Sequence, residues 1–135
     1  MAVADEIIDF YSSVLNGVLA HYSEAIGGKP IDVLIKPAIE STKEDHRFLE
    51  PVEARDGKIV MEEASADIEV MKNGFNSLTK AVIDSLGYVF GRDESIKRAR
   101  SIYKEVSEER NQLVADAKIA EGLPAFLKEE IWEEV

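Results

Sequence analysis

The chain contains no cysteine, only two histidines, one tryptophan and four prolines. The missing thiols exclude disulfides, cysteine nucleophiles, cysteine-ligated zinc and cysteine-held iron–sulfur clusters. This composition fits a reducing compartment. Positive charge is also scarce: 16 Lys and Arg stand against 27 Asp and Glu, for a net charge of −11. Such a surface repels phosphate backbones and anionic lipid, so neither nucleic acid nor membrane is an expected partner. No apolar run approaches the roughly 20 residues that span a bilayer. The first residues, MAVADEIIDF, place Asp5, Glu6 and Asp9 where a secretory signal would need cations. The expectation is a soluble, cytoplasmic protein.

What is present is a globular composition, 45% hydrophobic over 135 residues, which suits one domain spanning 1–135. Its dominant pattern is helical. Over residues 3–26, Ile8, Tyr11, Leu15, Val18, Tyr22 and Ile26 recur at spacings of three and four, and Gly27-Gly28 supplies a stop. Gly17 marks a weak point or a close approach by another backbone. Pro30 suits the first turn of a second helix carrying Ile31, Leu34, Ile35, Ala38 and Ile39, and Pro37 should kink or split it. The stretch IDVLI also reads as a short strand. Ser41 or Thr42 is placed to cap a further turn.

The third helix is the clearest, with Ile68, Met71, Phe75, Leu78, Val82, Leu86 and Val89 or Phe90 on one stripe, Ser65 as a candidate cap and Asp67 in its first turn. Gly91 ends it. A fourth helix, capped by Asp93, carries Ile96, Ala99, Tyr103, Val106, Arg110, Leu113 and Ala117 and is expected to run to Gly122, roughly 40 Å. Pro124 then opens a short C-terminal helix. The fold class is therefore mainly α: a bundle of four main helices, with the third and fourth as its central antiparallel pair.

One segment breaks the helical rhythm. FLEPVEARDGKIVMEEA, beginning at residue 48, reads as a β-hairpin inserted over about 48–62, with Asp56-Gly57 in a type I′ turn. That turn pairs Ala54 with Ile59 and Val52 with Met61, so these four side chains share an apolar face, while Pro51 marks the first strand as an edge. An isolated two-stranded hairpin is marginal in water, so the face must rest either on its own bundle or on a second subunit. Val52, Ala54, Ile59 and Met61 are accordingly candidate dimer contacts.

Chemical motifs are sparse. His21 and Glu24, three apart, could face one ion, but neither histidine sits in a Glu-x-x-His pair; Glu44, Asp45, His46 and Glu50 match no ligand loop, and no metal or other cofactor is indicated. AIGGKPID has Pro30 where a phosphate loop needs a hydroxyl, and no Gly-x-Ser-x-Gly elbow occurs. The one concentration of charge is basic: Arg92, Lys97, Arg98, Arg100 and Lys104. It is a candidate docking face for an acidic or phosphorylated partner, or a solvated face paired internally through Glu94–Arg98 and Lys104–Glu108. Arg110 interrupts the fourth stripe, which can set register, or it marks the point where the helix leaves the core. These readings favour a non-enzymatic interaction or regulatory module that forms a homodimer. A ligand-sensing domain with aromatics such as Tyr11 and Tyr103 around a small molecule is the alternative, and an enzyme of unrecognised type is a second one.

Overall fold

The computed structural model describes residues 3–61, 67–110 and 113. Four helices follow the expected order: α1 (Val3–Ile26), α2 (Gly28–Asp45), α3 (Ile68–Phe90) and α4 (Arg92–Glu109). Between α2 and α3 lie a 3₁₀ turn (Arg47–Leu49) and an antiparallel pair, β1 (Glu53–Arg55) and β2 (Lys58–Val60). The short C-terminal helix expected after Pro124 lies outside the described residues, as does Ser65.

Aromatic contacts fix the helix directions. Tyr11 stacks on Phe75 and Tyr22 on Phe90, so α1 and α3 run parallel. Phe10 meets Tyr103 edge-on while Tyr22 reaches Ser95, so α4 runs antiparallel to α1. The chain thus goes up, down, up, down. The central pair is α1 and α3, not α3 and α4 as the short connection suggested. Both α1 and α3 touch every other helix, whereas α4 packs chiefly on these two. Most of the expected stripe positions form the core: Tyr11, Leu15, Val18 and Tyr22 of α1 and Met71, Phe75, Leu78, Val82 and Leu86 of α3 are buried, joined by Ile7, Phe10, Val14 and Leu19, whereas Ile8 is half-buried and the stripe ends Ile26, Ile68 and Val89 are exposed.

Several local expectations change for physical reasons. Pro37 does not split α2, which continues to Asp45. The carbonyl it deprives of a donor belongs to Val33, which is 75% exposed, so water can replace the missing bond. The same continuity rules out a strand at IDVLI. Ser41 and Thr42 cap nothing. Thr42 sits inside α2 and donates to the Ala38 carbonyl at 2.8 Å. The α3 cap is Asp67, whose carboxylate accepts from the Val70 N–H at 3.0 Å. Asp93 lies in the first turn of α4 behind Gly91 and does not cap it. What approaches Gly17 is the Ile102 side chain of α4, not a backbone. Helix α4 closes at Glu109, where Arg110 leaves helical geometry at φ −129° and pairs with Asp9 of α1. Arg110 thereby tethers α4 to α1 near the start of the chain, and the helix expected to run on to Gly122 is interrupted at this residue. Residues 111–112 and 114–122 lie outside the described residues.

Candidate functional site

The hairpin is shorter than 48–62: Phe48 and Leu49 belong to the 3₁₀ turn, with Phe48 edge-on to Phe75 and Leu49 buried. Its turn is as the sequence demands, with φ 53° at Asp56 and 81° at Gly57. Ala54 stands opposite Ile59. The apolar face rests on the chain's own bundle: Val52 and Ile59 are buried in the common core, and Ala54 and Met61 are half-buried against it. Strand β2 lies over α1 and β1 over α2.

Two side chains fix the hairpin there. Asn16 of α1 bonds both backbone groups of Ile59, accepting its N–H at 2.8 Å and donating to its carbonyl at 3.1 Å. Asp32 of α2 accepts from the N–H of Asp56 at 2.7 Å and of Gly57 at 2.8 Å. Ser23 donates to the Gly57 carbonyl at 3.2 Å. The tip fits only because two glycines meet. A Cβ on Gly28 would collide with the Asp56 backbone, and one on Gly57 with Ser23 and with Gly28 itself.

This arrangement makes the two edges of the hairpin unequal. In an antiparallel ladder, residues alternate between pointing their backbone groups at the partner strand and away from it. With Arg55 and Lys58 closing the turn, Ile59 and Ala54 both point outward. Asn16 occupies the Ile59 groups, so the β2 edge is closed. The Ala54 N–H and carbonyl have no partner among the described residues. They face a groove of about 420 Å³ bounded by Val52, Glu53 and Ala54 of β1 and, on α2, by Asp32, Val33, Lys36, Ile39, Glu40 and Lys43.

The basic cluster is largely spent on internal pairs. Arg92 meets Asp84 at 3.3 Å, Arg98 meets Glu94 at 3.2 Å, and Arg100 is engaged as well. Lys97 and Lys104 stand exposed. A concavity of about 410 Å³ lies beside Lys97 and Arg100, but Asp93 and Glu94 share its wall and offset the positive charge. At the same end, Tyr22 donates to Glu94 at 2.5 Å. That bond, more than the neighbouring Arg98, holds the Glu94 carboxyl below its ordinary range, while burial and the same bond raise Tyr22.

A second polar group lies inside the bundle where α1, α3 and α4 meet. Tyr11 donates to Asn76 Oδ1 at 2.8 Å, but Asn76 Nδ2, the Tyr103 hydroxyl and Ser107 Oγ are buried without partners among the described residues. Ser107 is near enough to ease Tyr103 ionisation slightly, yet the two hydroxyls do not meet at hydrogen-bonding geometry. Burial dominates and raises Tyr103 to about 12 and Tyr11 higher still. Lys72, one turn before Asn76, is also buried and reaches Glu69 at 3.2 Å.

Among the described residues no three His, Asp or Glu side chains gather as a metal site, and no helix is long and apolar enough to cross a membrane. No family model, curated protein or solved structure matches the chain. The sequence reading missed Asn16 and Asp32. A partial signal existed: Ser12, Asn16 and Ser23 form a polar row beside the α1 stripe, and all three make hydrogen bonds here.

Proposed function

We propose that the protein is a non-enzymatic interaction module, working in the cytoplasm, that forms a homodimer through the β1–α2 face. The observation that carries this reading is the asymmetry of the hairpin. Its apolar face is used by the core and its β2 edge by Asn16, whereas the Ala54 backbone groups have no partner among the described residues and lie beside Val33, which is 75% exposed. Natural sheets usually cover, shorten or charge such edges, and an open one is a pairing surface. The missing cysteines support the compartment, since thiol-free chains need no oxidising environment.

Replacing the whole hairpin by a linker is a poor test, because it also removes Leu49, Val52 and Ile59 from the core. A surface change is cleaner. Sedimentation equilibrium of the full chain from about 10 µM to about 1 mM should reveal dimer, and Val33→Glu should return it to monomer with unchanged helical circular dichroism. Monomer throughout for the wild type overturns the reading.

The ligand-sensing alternative has one observation in its favour. Among the described residues, Asn76 Nδ2 and the Tyr103 hydroxyl are unsatisfied polar groups inside an aromatic environment, as a site for a small hydrogen-bonding molecule would require. An acidic or phosphorylated partner at Lys97, Arg100 and Lys104 is less favoured, since three of the five clustered cations already have partners.

A further inference from the structure

Resting on the homodimer reading, we infer a specific register for it: two copies of β1 pair antiparallel about a two-fold axis at Ala54, extending the two-stranded hairpins into one four-stranded sheet. The backbone sets the centre. Ala54 is the β1 residue whose N–H and carbonyl both point outward and are both unpartnered among the described residues, so two copies can exchange a pair of N–H···O bonds there. The ladder cannot lengthen in either direction. The Val52 N–H is already given to the Leu49 carbonyl at 2.8 Å, and the Asp56 N–H to Asp32. A shifted register would aim the partner at these occupied donors.

The side chains agree with that centre. Glu53 and Arg55 lie on the solvent face, and they pair with each other within one strand. Antiparallel pairing about Ala54 sets Glu53 opposite the partner's Arg55, and Arg55 opposite the partner's Glu53. The four charges then alternate in sign, which is the favourable cross-strand arrangement. A register moved by two residues would break this match. Beneath the joined strands, the groove-lining faces of the two α2 helices come together around Val33, and Lys36 and Glu40 supply charges of both signs at this seam. Two backbone bonds alone would not offset the free-energy cost of association, so burial of this α2 surface is an integral part of the contact.

The test is a charge exchange, read by sedimentation equilibrium near physiological salt. Arg55→Glu places Glu opposite Glu on both sides of the axis, and Glu53→Arg places Arg opposite Arg. Each should weaken the wild-type dimer by about tenfold. The double variant restores opposite charges at both positions and should regain wild-type affinity. Amide exchange supplies the backbone readout: the Ala54 amide should become protected as concentration rises, while the Ile59 amide, held by Asn16, should be protected at all concentrations. If Val33→Glu dissociates the dimer but the charge variants and the Ala54 amide do not respond, the register is wrong and the dimer reading survives. If the wild type does not dimerise, both fall.

Discussion

Phe75 illustrates how a residue visible in sequence acquires its energetic weight from three dimensions. Its place in the α3 stripe predicts burial, and it is 1% exposed. Beyond burial, its ring stacks on Tyr11 at 5.2 Å and meets Phe48 edge-on at 5.5 Å, so it joins three chain segments. Phe75→Ala should cost about 3–5 kcal/mol, measured by denaturant unfolding. Tyr103 shows the opposite balance. It too was legible as a stripe residue, but its hydroxyl is buried without a partner among the described residues. Tyr103→Phe should therefore stabilise the fold by roughly 1 kcal/mol in the same measurement, because an unsatisfied buried hydroxyl is removed and the ring is kept. A loss of stability would mean that the hydroxyl has a hydrogen-bond partner in solution. No sequence pattern distinguishes the two cases, since satisfaction of a hydroxyl depends on atoms from other helices.

At the scale of elements, the glycines were reliable guides. Gly27 and Gly91 adopt φ of 93° and 108°, and the helices on either side begin and end around them. Asp56-Gly57 likewise specified its turn. Periodicity therefore gave the helices and local turn chemistry gave the hairpin. Neither could reveal the attachment between them, because Asn16 lies 43 residues from Ile59, and Asp32 lies 24 and 25 residues from its two donors. Pro37 misled for a related reason: its effect depends on whether the orphaned carbonyl can reach water, which is a property of the packed helix. The attachments have measurable consequences. Asp32→Ala removes two charge-assisted hydrogen bonds and should destabilise the fold by about 2 kcal/mol, with faster proteolysis around residues 55–58. Equal cleavage rates in wild type and variant would show that Ser23 and the strand pairing hold the tip without Asp32.

For the whole molecule, two dependences on solution conditions follow. Burial raises the folded-state pKa of Tyr11, Tyr22 and Tyr103, with Tyr103 at about 12. An exposed phenol in the unfolded chain ionises near pH 10. The folded protein thus keeps protons that the unfolded chain releases. This contribution to stability is complete below about pH 10 and is lost as pH rises through the folded values. Urea midpoints should fall steeply between about pH 10 and 12, and Tyr103→Phe should flatten that slope. On the proposed homodimer reading, salt acts on association. Two bodies of charge −11 with centres roughly 40 Å apart repel by on the order of 10 kcal/mol in unscreened water, far more than the exposed ion pairs at the strand edge return. Raising ionic strength from about 0.01 M to about 0.15 M should therefore strengthen the dimer. A dimer that weakens over that range would show that local ion pairs outweigh the overall charge.

The meeting of Gly28 with Gly57 bears on how this chain tolerates change in length. A solvent-facing two-residue turn is ordinarily where extra residues, tags or new chain ends are accepted most readily. Here that turn is clasped to the corner joining the first two helices, without room for even one additional carbon at either glycine. Lineages of this protein should therefore vary in length elsewhere and keep this hairpin at constant span. A peptide epitope spliced between Asp56 and Gly57 should unseat the strands, in contrast to the usual permissiveness of hairpin tips.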